Sequence, residues 1–194
     1  MHLIEPLSAT CQLALKEWAS VLLAMARGEQ LLLVRKGGLV EASRGFELRA
    51  NTFLFYPTFE HQTVQYLREL YPRYLEEALR ARAAQGTVRL ETCGMAVASW
   101  PCNDPALLAR LRDFHIYNDQ FAVQRLKWQP DQPIIVVAVR VFRFGPLTVP
   151  STDRYAGCKS WVELDAPISL AGARPVLDDG TFRHRLEHVK AVLG

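Results

Sequence analysis

Leu15, Trp18, Leu22 and Met25 recur at helical spacing, the stride of one face of an α-helix. The pattern predicts a helix from about Thr10 to Arg27, with Thr10 as its N-cap and Gly28 as its stop. Gln30 to Arg35 is then a short apolar strand ended by Gly37-Gly38. Phe46 to Arg49 and Phe53 to Tyr56 read as two further strands. Pro57 closes the second, because it has no N–H for a ladder. Val64, Leu67, Tyr71, Leu75 and Ala78 return to the helical stride. Pro72 predicts a break in it, since the residue before a proline avoids the α region.

Val88 to Cys93 alternates apolar and polar as a half-buried strand, and Gly94 allows a bulge before Met95 to Trp100. Pro105 to Asp113 is a short helix with Asp104 as cap and proline in its first turn. Ile134 to Val139 is apolar throughout, the mark of a central strand covered on both faces. Alternation resumes through Phe144 and again from Cys158 to Leu164, and residues 182–193 form a C-terminal helix. The pattern predicts an α+β chain with one domain over residues 1–194. It carries a mixed, mostly antiparallel sheet of about six to eight strands, or a small β-barrel, flanked by helices.

Composition narrows the class. The 194 residues are 49% hydrophobic and 22% charged, which is ordinary for a globular chain able to bury roughly 70% of its unfolded surface. Cys11, Cys93, Cys102 and Cys158 include no close pair, so neither a zinc site nor a disulfide framework is expected. Free thiols, a start without a basic-then-apolar block and no apolar run of membrane-spanning length predict a cytoplasmic chain. Neither metal nor cofactor is expected. The net charge is +3, a weak indication by itself. Residues 134–162, however, hold Arg140, Arg143, Arg154 and Lys159 against a single Asp153. That stretch either faces an anion or forms a solvated sheet edge.

Three segments carry polar residues that core packing does not explain. In Arg35-Lys36-Gly37-Gly38 two cations run into glycines whose N–H groups can approach an anion, although the phosphate-loop spacing is absent. A plain glycine turn is the other reading. Tyr56-Pro57-Thr58-Phe59-Glu60-His61-Gln62 ends a strand in a carboxylate, an imidazole and an amide. Thr58 is then either part of a site or the N-cap of the next helix, while His61 is the side chain that titrates near neutrality. In Gly157-Cys158-Lys159-Ser160-Trp161-Val162-Glu163-Leu164, alternation puts Lys159, Trp161 and Glu163 on one face. Lys159 and Trp161 there suit an anion and a planar ring; a Lys159–Glu163 salt bridge flanking a packed tryptophan is the structural alternative. Cys158 beside Lys159, with His61 or His115 as base, is a candidate nucleophile. No serine-hydrolase elbow, zinc-protease helix or deaminase signature occurs.

These segments, together with Ala14-Leu15-Lys16-Glu17-Trp18, Leu31-Leu32-Leu33-Val34 before Arg35, and Phe53-Leu54-Phe55 before Tyr56, occur in a fixed order. They resemble an uncharacterised bacterial family, domain of unknown function 1802, from about Ala14 to Leu164. The resemblance implies no reaction. It implies association with Mrr-like restriction endonuclease domains, hence restriction or other DNA transactions; the nuclease domain itself is lacking here. A shorter likeness, Ala26-Arg27-Gly28-Glu29-Gln30 followed by Leu31 to Arg35, is similar to the opening of ASCH and other PUA-like barrels, which bind RNA or modified bases.

Three functions follow as expectations. The first is a non-catalytic nucleic-acid-binding accessory domain, with Arg35, Lys36 and Lys159 on phosphates and Tyr56 and Trp161 as stacking surfaces. The second is an enzyme on a small substrate or nucleotide, with His61 as acid or base and Glu60 or Cys158 assisting. The third is a protein-interaction module whose aromatic blocks are simply core. The first two require Arg35, Lys36, His61, Lys159 and Trp161 to line one concave surface.

Overall fold

The computed structural model describes residues 7–36 and 45–194. In chain order these form β1 (Thr10–Trp18), α1 (Ala19–Ala26), β2 (Leu32–Arg35), β3 (Thr52–Thr58), α2 (Pro72–Arg80), β4 (Thr87–Cys102) and α3 (Pro105–Arg110). α4 (Asp119–Lys127), β5 (Ile134–Pro150), β6 (Trp161–Ser169), β7 (Arg174–Pro175) and α5 (Asp179–Leu193) follow. All seven described strands share one sheet in the order β2-β5-β4-β3-β1-β6, with β7 on β5. β1 and β3 pair in parallel and every other pair is antiparallel. The fold is α+β, and no described helix is long and apolar enough to cross a membrane.

The first predicted helix is the main correction. Residues 10–18 are a strand, and the helix begins only at Ala19. β1 lies between β3 and β6 and is buried from Ala14 onward. A run covered on both faces shows no polar alternation, so its apolar positions match a helical stride by coincidence. Gly28 does stop the helix, with φ at 74°. Phe46 to Arg49 pairs with no strand; Phe46 instead stacks on Trp161 at 6.0 Å. β3 runs through Pro57 to Thr58 because its pairing with β4 ends at Leu54. A missing N–H on that flank removes no ladder bond. Pro72 opens α2, whereas residues 64–66 form only a short 3-10 turn.

Two apolar layers cover the sheet. Leu15, Phe53, Phe55 and Val139 face α1 and α5 through Leu22, Met25 and Phe182. Ala14, Leu54, Cys93, Val162 and Leu164 form the second layer under Tyr155. Gly94 sits where β3, β4 and β5 crowd together. A Cβ there would stand 2.7 Å from Val139 Cγ1, 2.9 Å from Phe55 Cζ and 3.0 Å from Phe53 Cε2. The register shifts lie on either side of Gly94, at Leu90/Thr92 and Ala96/Ala98.

The sheet is rolled. β2 and β1 are four steps apart in the strand order, about 19 Å if the sheet were flat. Yet Arg35 Nη1 of β2 donates to the Lys16 carbonyl of β1 at 3.1 Å. The roll stops short of a barrel: β2 and β6 do not pair.

Candidate functional site: a cationic cleft at the open seam

The seam of the rolled sheet is a cleft of about 400 Å³. β1 contributes Lys16, Glu17 and Trp18, β2 contributes Arg35, and Lys36 follows directly after it. The turn after β3 adds Glu60 and His61, the end of α4 adds Arg125 and Trp128, and the segment before β6 adds Gly157 to Ser160. Arg35, Lys36, His61, Cys158 and Lys159 therefore meet here. Gly37-Gly38 lies outside the described residues.

Among the described residues Glu17 is the buried carboxylate of the cleft, Glu60 being exposed, and it is already engaged. Its Oε1 accepts from the Trp18 backbone N–H at 2.8 Å, and its Oε2 accepts from Arg35 Nη1 at 3.1 Å. The Arg35 guanidinium also lies over the Phe46 ring. Lys36 is only 1% exposed and donates Nζ to the Leu126 carbonyl at 3.0 Å. Burial, then the Arg125 charge, pulls its ammonium below the usual lysine value. Lys16 donates Nζ to the Gly157 carbonyl at 3.0 Å, and burial lowers its value too, with Glu60 acting against the shift and Lys159 with it. Burial and the neighbouring Arg35 charge depress Arg125 likewise, though an arginine stays protonated. Among the described residues the Arg125 guanidinium has no hydrogen-bond or ion-pair partner; it lies over the Phe121 ring. Lys159 donates to the Arg154 carbonyl.

The turn carrying His61 is held by its neighbour. Gln62 Oε1 accepts from Ser20 N at 3.1 Å and Ser20 Oγ at 3.0 Å, at the first turn of α1, while Gln62 Nε2 donates to the Thr58 carbonyl at 2.9 Å. Thr58 is not the cap of the next turn; Thr63 is, accepting from Gln65 N. His61 has φ at 59°, the left-handed region. Its Nε2 lies 3.9 Å from Cys158 Sγ, and both residues are exposed. The other histidine considered as a base, His115, is buried against the Leu108 carbonyl at 2.9 Å, away from the cleft.

Two expected ring surfaces are committed to packing. Trp161 is 5% exposed, donates Nε1 to the Glu47 carbonyl at 2.9 Å, and packs between Phe46 and Phe53. Tyr56 is buried, its hydroxyl 2.9 Å from Ser151 Oγ and its ring against Tyr155. The predicted Lys159–Glu163 pair does not form among the described residues. Of the basic stretch, Arg140 pairs with Asp179, Arg154 pairs with Asp165 and Arg143 lines a neighbouring cavity, and Lys159 reaches this cleft. The sequence pattern singles out none of Lys16, Arg125 and the half-exposed Trp128: Lys16 falls in the run expected to be an amphipathic helix, and no element is expected over residues 119–128, which form α4 and its C-cap.

All four blocks that carry the resemblance, from Lys16 to Lys159, therefore converge on one seam. A family model described as a domain of unknown function (DUF1802) matches residues 14–188. The chain belongs to that family. The DUF1802 match runs beyond Leu164, from within β1 to within α5, so it takes in nearly the whole sheet and most of the helix packed on it. No curated protein and no solved structure matches this DUF1802 chain significantly.

Proposed function

We propose that the seam binds the phosphate backbone of a single nucleic-acid strand. One observation carries this reading: Lys16, Arg35, Lys36, Arg125 and Lys159 surround one cleft whose buried carboxylate is already taken by Arg35. Among the described residues the Lys36 ammonium bonds only to a carbonyl, and the Lys16 ammonium bonds to a carbonyl with the exposed Glu60 acting on it from the cleft wall; buried cations so placed are costly unless an anion arrives. A phosphate supplies that charge and several acceptors to the spare lysine and arginine donors. A concave seam admits one strand, whereas a stiff duplex presents a convex surface. Trp128, half-exposed at the rim, is a ring on which a base can stack. The family's implied association with restriction endonuclease domains supports DNA as the first probe. Four free thiols suit a reducing compartment such as the cytoplasm.

Fluorescence anisotropy with labelled single-stranded DNA over a salt series tests the reading. A log–log slope of about −2 to −4 is expected, flattened by Lys159→Ala and Arg125→Ala. No binding at low salt overturns it.

A second reading rests on the contact between Cys158 and His61. There the domain is an enzyme on an anionic substrate. His61 Nε2 takes the thiol proton as Cys158 Sγ attacks a carbonyl or phosphoryl centre and displaces its leaving group, which receives that proton from His61, with Lys16 and Lys159 holding the substrate's charge. Glu60 lines the same cleft. A screen of phosphate- and carboxylate-bearing substrates that finds turnover lost in Cys158→Ser and in His61→Ala supports it; turnover surviving both variants removes it.

A further inference from the structure

A second, larger cavity of about 550 Å³ adjoins the seam, and the two share Lys16, Thr58 and Glu60 as their common wall. We infer that the larger cavity is a subsite for the next nucleotide of the strand, so that the ligand is at least a dinucleotide lying across Lys16. This rests on the nucleic-acid reading above and names how far the strand extends.

The cavity has a floor and a rim of different chemistry. Its floor is apolar, built from Leu22 and Leu23 of α1, Phe55 of β3 and Val88 of β4. Ordered apolar walls with a few polar groups at the edge suit a planar, poorly hydrated ring. Its rim carries Arg82 and Arg143, both exposed. Arg82 lies over the Phe59 ring at 4.8 Å, and among the described residues neither arginine has a carboxylate partner. The other two rim arginines are spent: Arg27 on Glu77 at 2.6 Å and Arg89 on Glu91 at 3.3 Å. An arginine stacked on a ring at a cavity mouth offers both a phosphate contact and a flat surface for a base.

Lys16 anchors the strand at the wall between the two cavities. Its Nζ uses one hydrogen on Gly157 O and lies 5.8 Å from the centre of the Tyr56 ring, beneath the larger cavity. An ammonium has three donors, so among the described residues two remain for a phosphate on the shared wall. A phosphate held there leaves the bases on either side one to each cavity. A purely apolar ligand has no use for Lys16, Arg82 and Arg143 together, and a free mononucleotide fills only one of the two compartments.

Anisotropy with a labelled thymidine mononucleotide and single-stranded oligothymidylates, from the dinucleotide upward, reads the extent directly. Affinity is expected to rise roughly ten-fold or more once a second base is present, the gain typical of stacking one more base. The Arg82→Ala/Arg143→Ala double variant should lose that rise and keep the mononucleotide affinity. Both arginines are exposed, so folding is not at stake, and circular dichroism confirms it. If the mononucleotide binds as tightly as the longer probes, the larger cavity is not a subsite and the seam reading alone stands. If none of the probes binds the unaltered protein, the seam reading falls and this inference falls with it.

Discussion

Arg35 Nη1 of β2 donates to Glu17 Oε2 of β1 at 3.1 Å, although three strands separate β2 from β1 in the sheet. The pair is a clasp across the seam. It draws the edge strand β2 to β1, one strand in from the opposite edge, and it consumes the carboxylate that, among the described residues, is buried among the cations. The side chains are 15% and 4% exposed, so this is a desolvated pair whose rupture strands a charge.

Glu17→Ala should therefore destabilise the fold by about 3–5 kcal/mol, the usual cost of removing one partner of a buried pair. Urea denaturation measures it. Where the variant still folds at low temperature, its affinity for single-stranded DNA should rise, since Arg35 is freed to meet phosphate. A loss below 1 kcal/mol would mean the clasp is ornamental.

Alkaline stability offers a second test. Burial lowers the Lys16 and Lys36 values from 10.5 in the folded protein. Just below 10.5 the unfolded chain then binds more protons than the native one, so these two groups make stability rise with pH there. They depress it at neutrality. Burial also pushes Cys93 up to about 12, which works in the opposite direction, because the unfolded thiol ionises first. Lys36→Met isolates one contribution: the difference between wild-type and variant stability should shift with pH as 10.5 is approached from below. A constant difference would show that Lys36 titrates normally.

Gly94→Ala should cost about 1–3 kcal/mol through overpacking. The added methyl meets Val139, Phe55 and Phe53 at 3.0 Å or less, all core side chains with little room to retreat. Thermal unfolding with a near-unchanged melting temperature would refute the close packing at this site.

A thiol reagent should modify one cysteine in the folded protein and four after denaturation. Cys158 is exposed, while Cys11, Cys93 and Cys102 are buried, with burial raising the values of all three. A bulky adduct on Cys158 stands in the seam, so it should weaken DNA binding several-fold. Peptide mass mapping locates the label, and rapid labelling at any of the three buried positions would contradict the packing.

Local chemistry made part of this protein readable from its sequence. Asp104 caps α3 through the Ala106 N–H at 2.8 Å and Pro72 opens α2, because both act within one turn of backbone. The unbroken apolar run of Ile134 to Val139 announced the central strand β5, since only burial on both faces permits it. The three polar segments stood out because strand ends do not need such side chains. Tertiary structure decided the rest. Whether Thr10 to Trp18 coils or extends depends on Leu54 to Thr58 and Trp161 to Ser169 offering ladders to it, and those partners are distant in the chain. Trp161 looked like a stacking surface until Phe46 and Phe53 closed over it. Lys16, Arg125 and Trp128 became site residues only through the roll of the sheet, which brings β2 to β1 and opens the seam between them. Sequence spacing dictates which face a side chain takes along its own element; which elements then face one another is set by the burial of apolar surface across the whole chain.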